Sequence, residues 1–256
     1  MMGMNLTIRP STPRHGLARV LSKAGLASRT QAAQWVREGR VSVGGRVVRD
    51  PEYPVREGVD AVAVDGKPLQ GAERIYVLLN KPRGLVTTAD DEHGRATVYD
   101  CFEGSGLPWL SPVGRLDQAS EGLLLFCNDP AWAARVTDPE IGPDKTYHVQ
   151  VTGVPDQEAL CAMQTGVLEG GEQLSAKAAS VLRSGGKTAW LEIVLDEGRN
   201  RQIRRLLKAL GFPVLRLIRV AIGGLVLGEL AKGQWRHLDA TELEGLTSRR
   251  PIRDPL

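Results

Sequence analysis

Apolar positions recur along this chain with two periods, and the change from one to the other divides it. From Gly16 onward, Leu17, Val20, Leu21 and Ala24 fall at i, i+3, i+4 and i+7, the spacing of one helix face, and Gly25 is suited to ending that helix. Ser28-Arg-Thr-Gln31 follows as a capping box and predicts a second helix to about Glu38, closed by Gly39. Between Arg40 and Val48, valine alternates with polar residues on either side of Gly44-Gly45. That pair takes positive φ without strain, which predicts a tight β-hairpin. Pro51 to Glu57 reads as a connecting loop, Ala61 to Val64 as a short strand and Gly66 to Pro68 as another turn. A boundary falls between Leu69 and Glu73. Residues 1–13, with two prolines and no apolar period, read as a flexible tail.

Beyond the boundary the period shortens towards two. Strands are expected at Ile75–Leu79, Gly84–Thr88, Leu110–Leu116, Gly122–Cys127, Thr146–Val151, Thr188–Leu195, Val214–Arg219 and Leu225–Leu227. Helices are expected at Asp129–Val136, Pro155–Val167, Asn200–Leu210 and Ala240–Leu246. Several neighbouring strands have no helix between them, which favours an α+β fold with a mixed, largely antiparallel sheet flanked by helices over a doubly wound parallel one. The domain plan is therefore a small N-terminal module over 14–70, a larger strand-rich domain over 73–248 and a short tail over 249–256.

Composition narrows the function classes. A chain of 256 residues with 42% hydrophobic content supplies two cores. No run of about 18 apolar residues appears and the start lacks the features of a signal peptide, so no membrane is expected and the cytoplasm is the expected location. Three separated cysteines (Cys101, Cys127, Cys161) suggest neither a disulfide framework nor a zinc site. The four scattered histidines leave a metal centre without support. No GxGxxG or GxxxxGK[ST] loop is present, so no nucleotide cofactor is implied. Net charge is only +3, but Arg14 to Asp50 holds eight basic residues (Arg14, Arg19, Lys23, Arg29, Arg37, Arg40, Arg46, Arg49) against Glu38 and Asp50. Such clustering draws a polyanion to the N-terminal module.

Four segments can carry chemistry. Gly114-Arg-Leu-Asp117 ends a strand at a polar turn, where an arginine and a carboxylate can project into a cleft, although an aspartate there is most often only a turn former. In Thr146–Val151, Tyr147 shares a strand face with Val149 and Val151, so its ring is either core or a stacking platform. Glu197 to Arg205 joins a strand to a helix bearing Arg201, Arg204, Arg205 and Lys208, suited to phosphates or to holding a carboxylate ionised. Asn80-Lys-Pro-Arg-Gly84 forms a tight basic turn.

Taken in order, these segments resemble the bacterial ribosomal-RNA pseudouridine synthases that carry an N-terminal S4 RNA-binding domain. Leu17–Arg29 and Gly39–Val47 look like the S4 module, Leu79–Gly84 the start of the catalytic domain, and Gly114-Arg-Leu-Asp117 with Glu121-Gly-Leu-Leu124 the catalytic motif. The resemblance implies Asp117 as the essential residue and Arg115 as the residue that helps displace the target base. It implies Tyr147, in Lys145–Val149, as the active-site tyrosine, and an arginine of Gly198–Arg204 as partner to the aspartate. Arg204 is the choice for that partner, with Arg201 and Arg205 near enough to compete. Leu217, in Val214–Arg219, would pack beneath the aspartate and tyrosine. Implied RNA contacts are Arg19, Lys23, Arg29, Arg37, Arg40, Arg46, Lys81, Arg201 and Arg205. The expected activity is isomerisation of a uridine in ribosomal RNA, free or in an assembly intermediate, by a cofactor-independent monomer. The Ser120-Glu121-Gly122 form favours 23S over 16S rRNA. Gln118, Ser120 and Cys127 depart from common family choices. The competing reading is a non-catalytic RNA-binding ribosome-assembly factor; it would leave Asp117, Tyr147 and Arg204 without a task.

Overall fold

The chain forms two units in the computed structural model, which describes residues 13–89 and 91–247. One unit runs to Arg74 and takes in Pro108–Leu110; the other holds Ile75–Leu107 and the residues from Ser111 onward. The tails expected at 1–13 and 249–256 lie, Pro13 apart, outside the described residues.

The first unit contains β1 (Arg14–Gly16), α1 (Leu17–Lys23), α2 (Arg29–Glu38), β2 (Val41–Val43), β3 (Arg46–Val47), β4 (Pro54–Arg56), β5 (Val62–Val64) and β6 (Lys67–Pro68). The apolar face of α1 meets Ala32 and Val36 of α2 over Val41, Val55 and Val62, forming one small core. Ser28 caps α2 by accepting the Gln31 amide at 3.0 Å, worth about 1 kcal/mol. The return bond expected from the Gln31 side chain is not made; that amide group faces Gln34. The Gly44-Gly45 turn joins β2 to β3, and the four strands order β3-β2-β5-β6. Where a loop was expected over Pro51–Glu57, β4 pairs antiparallel with β1. Pro54 stands at the end of that pair, where a missing N–H does little harm.

The second unit is built on β7 (Tyr76–Lys81), β8 (Ser111–Val113), β9 (Glu121–Cys127), β10 (Lys145–Thr152), β11 (Val167–Glu169), β12 (Glu172–Leu174), β13 (Ala178–Ser184), β14 (Thr188–Leu195), β15 (Val214–Ile222), β16 (Leu225–Val226) and β17 (Trp235–His237). Its helices are α3 (Pro130–Thr137), α4 (Gln157–Thr165), α5 (Gln202–Ala209) and α6 (Ala240–Thr247), with a 3-10 turn at Val98–Phe102. Nine strands make one mixed sheet ordered β13-β14-β10-β15-β9-β7-β17, with β16 on β15 and β8 on β9. Among the described strands of that sheet, β9 and β15 are the one parallel pair. One core packs α4 and α5 on β10, β14 and β15 through Val149, Leu191, Ile193, Met163, Leu206 and Leu207. A second packs α3 and α6 on β7 and β9 through Leu78, Leu123, Leu125, Trp132 and Leu246. β9 is buried along its whole length, as its unbroken Leu-Leu-Leu-Phe run requires.

The strand expected at Gly84–Thr88 does not form; only a parallel bridge from Val86 to Thr97 remains. Its backbone and Thr87 are engaged instead on the loop that carries Asp117, described below. The strands β11, β12, β13 and β17 were not anticipated. β13 is an exposed edge strand without apolar alternation, and the others are three residues long.

Candidate active site

The site forms at the β9/β15 junction. There Gly122 runs so close to β15 that a Cβ would sit 2.3 Å from the Arg219 carbonyl oxygen, and its φ is +101°. Only glycine fits. The chain leaves β8 through Gly114 and Arg115, buries Leu116 and turns at Asp117, closed by the Ser120 amide on the Asp117 carbonyl at 2.9 Å.

What fixes this loop is its backbone. Thr87 Oγ1 donates to Leu116 O at 2.7 Å, and Lys81 Nζ donates to Asp117 O at 3.3 Å and Ser120 O at 2.9 Å. The Gly84 amide donates to Gln118 O at 2.8 Å, and Arg204 Nη2 to Ala119 O at 3.1 Å. Every carbonyl from Leu116 to Ser120 thus has a donor, and the Asp117 side chain is aimed from a supported frame. Glu121, at the far end, is 3% exposed, held by Arg216 at 3.2 Å and by Lys232. Burial pushes its carboxyl up, but hydrogen bonds from Arg216 and Lys232 outweigh that and hold it below the ordinary range.

Asp117 opens onto a cavity of about 610 Å³ whose walls include Arg115, Tyr147, Arg201, Arg204 and Leu217. The sequence-selected set therefore meets in one place. β10 and β15 pair Val149 with Leu217, which puts Leu217 on the same sheet face as Tyr147, both against the α5 core. Of the candidate partner arginines, Arg201 is the one in ion-pair range of the carboxylate here. Arg201 Nη1 lies 3.7 Å from Asp117 Oδ2, whereas Arg204 donates to Ala119 O and to Ser120 Oγ, the latter at 3.4 Å. Arg201 stands at the residue before α5, in a left-handed conformation (φ 48°), while Arg204 lies in the first turn of the helix. Burial, and then the charge of Arg201, lower the Arg204 guanidinium below its usual value, with Asp117 opposing.

Several of the basic residues expected to face RNA have protein partners in this structure. Lys81 is fully buried and serves the loop carbonyls; burial pulls its ammonium down to about 8. Arg205 is engaged by Glu169 at 2.6 Å and by Glu172 at 2.5 Å. In the first unit Lys23 pairs with Glu57 and Arg40 with Asp65, while Arg19, Arg29, Arg37 and Arg46 are exposed. Sequence reasoning missed two residues. Gln202, 2% exposed, donates to Ser175 O and Glu197 and accepts the Arg199 amide, pinning the turn into α5. Arg219, 5% exposed, lines the cavity and donates to Leu123 O at 2.7 Å. An arginine at a core-facing position of an apolar strand was the available signal for it. Among the described residues no group of three or more His, Cys, Asp or Glu is placed to hold a metal, and no helix is long and apolar enough to cross a membrane.

A mixed sheet with an aspartate, a tyrosine and five arginines around one cavity defines a class, and comparison with known proteins gives it a name. Residues 75–209 match the RNA pseudouridylate synthase family and residues 16–60 match the S4 domain, so the chain belongs to the RNA pseudouridine synthases, which are isomerases, and carries an S4 domain. It is similar to the ribosomal large subunit pseudouridine synthase B of Bacillus subtilis (strain 168), at 38% identity over 90% of this chain and 94% of that one. An uncharacterized RNA pseudouridine synthase of Aquifex aeolicus is 41% identical over 89% of this chain and 92% of its own. A crystal structure of a pseudouridylate synthase aligns with TM-score 0.63 and 30% identity over 91% of this chain and 99% of that one.

Proposed function

We propose that this enzyme isomerises a uridine of ribosomal RNA, in the large-subunit 23S molecule, with Asp117 as the reacting carboxylate. The observation that carries the reading is the clamped loop presenting Asp117 to a cavity shared with Tyr147 and Leu217 and placed beside Arg201. The relative from Bacillus subtilis, named for the large subunit, supports the choice of RNA.

The reaction breaks the C1′–N1 bond, rotates the uracil, re-bonds it through C5 and releases the C5 proton. A carboxylate at C1′ has three chemical options: covalent attack, stabilisation of positive charge on the sugar, or removal of a proton towards a glycal. All three draw on the carboxylate of Asp117, whose Oδ2 lies 3.7 Å from Arg201 Nη1. The target must leave its stack, at a cost of a few kcal/mol. Tyr147 then stacks on the extruded base and exposed Arg115 occupies the vacancy or a phosphate.

The test is tritium release from 5-tritiated 23S rRNA transcript. Wild type is expected to turn over, and Asp117→Asn to lose at least 10³-fold in kcat while binding RNA within a few-fold. Retained turnover in the variant would refute the assignment. Release from 16S but not 23S transcript would refute the choice of RNA.

A further inference from the structure

The first unit holds a second cavity of about 610 Å³, outside the catalytic domain, lined by Leu26, Trp35, Arg40, Val64, Asp65 and Leu69, with Lys67, Pro68 and Gln70 at its edge. Its size lies in the range of small-ligand pockets. Two features set it apart from a chance surface hollow. The Arg40 guanidinium lies 5.0 Å from the centroid of the Trp35 ring. It is also locked: Nε donates to Asp65 Oδ1 at 3.0 Å and Nη2 to Oδ2 at 2.6 Å, a two-point fork, while the Asp65 amide bonds the Arg40 carbonyl at 2.8 Å. Asp65, with Gly66 after it, forms the turn that joins β5 to β6, both at positive φ, and this turn presents the carboxylate to Arg40.

We infer that this cavity is a subsite for one unstacked RNA base, held against the Trp35–Arg40 platform. A flat guanidinium stacked on an indole and fixed by a carboxylate offers a planar, pre-oriented surface, the chemistry on which single-stranded bases stack. The apolar floor of Leu26, Val64 and Leu69 favours a ring over a hydrated phosphate, which sets the subsite apart from the charge-driven contacts of Arg19, Arg29, Arg37 and Arg46. Lys67 and Gln70 at the edge, with Asp65, provide donors and acceptors for a base edge. The inference rests on RNA being the substrate, and it adds a base-reading site remote in sequence from Asp117.

The test uses full-length protein irradiated with 23S and 16S rRNA transcripts made in four sets, each carrying a photoreactive analogue of one base, and maps the adducts by mass spectrometry. An adduct on the peptide holding Trp35 or on residues 67–70 is expected for at least one base. Gln70→Trp, which fills the cavity without removing a buried residue, should reduce it at least tenfold, and Gln70→Ser should retain it. RNA affinity of Gln70→Trp should fall about tenfold with the slope of log K against log salt unchanged, as for lost stacking and not lost ion pairs. Adducts confined to other residues, or undiminished in Gln70→Trp, overturn the subsite. Adduct mapping does not read turnover, so a wild type that bears the adduct but releases no tritium refutes the proposed reaction and leaves the subsite standing.

Discussion

At the scale of single residues, the site divides two tasks between two arginines. Arg201 supplies charge to Asp117 from a left-handed backbone; Arg204 supplies hydrogen bonds to the loop. Arg201→Gly should therefore relieve strain worth roughly 1 kcal/mol and yet lower kcat/KM more than about tenfold, read by urea unfolding and tritium release. Equal losses of stability and turnover would contradict that division. In the sequence Asp117 stood out only through its company, since an aspartate before a turn has a commoner structural explanation; the structure adds that it shares a cavity with Tyr147, Arg204 and Leu217. The choice between Arg201 and Arg204 was not legible. The two lie three residues apart, a spacing that places both near one helix face, and nothing in the pattern marks Arg201 as the residue before the helix, in a left-handed backbone.

At the scale of elements, strands β7, β9 and β15 form the frame, and two substitutions probe it. Gly122→Ala would drive a methyl into the Arg219 carbonyl and should cost about 3 kcal/mol in unfolding free energy. Lys81 makes a pH-dependent contribution whose sign follows from burial. Its folded ammonium titrates at about 8, below its unfolded value near 10.4, so between those pH values the unfolded chain binds the proton more tightly. This group alone then makes stability rise with pH across that window, by at most about 1.4 kcal/mol per pH unit. Lys81→Met should flatten that rise in denaturant melts at pH 8, 9 and 10; an unchanged slope would assign it to other groups. The apolar runs of β9, β10, β14 and α5 were readable because burial of one or both faces leaves a period in the sequence. β13 and β4 were not: β13 is an exposed edge strand whose side chains carry no apolar alternation, and β4, which begins at a proline, is held by β1, some forty residues earlier. The expected strand at Gly84–Thr88 did not form because its polar groups are divided: the Gly84 amide and the Thr87 hydroxyl go to the loop that carries Asp117, and the Val86 backbone goes to Ala96 and Val98.

At the scale of the whole molecule, the charge asymmetry read from the sequence becomes a prediction about binding. Arg19, Arg29, Arg37 and Arg46 are exposed on the S4 unit, so changing all four to Ser should reduce the slope of log K against log salt by up to about one unit per residue. The expected loss is in affinity, with kcat at saturating RNA little altered. A slope that does not move would place the phosphate contacts elsewhere. The clamped loop carries a further consequence, for how such a protein changes over generations. Because the five carbonyls from Leu116 to Ser120 are gripped by Lys81, Gly84, Thr87 and Arg204, the shape of the loop is inherited from outside it. A change at Ala119 can then alter the outer surface of the loop, while at Gln118, whose side-chain amide donates to Gly84 O at 3.1 Å, it also touches the frame; in neither case does the direction of the Asp117 side chain depend on the loop's own side chains alone.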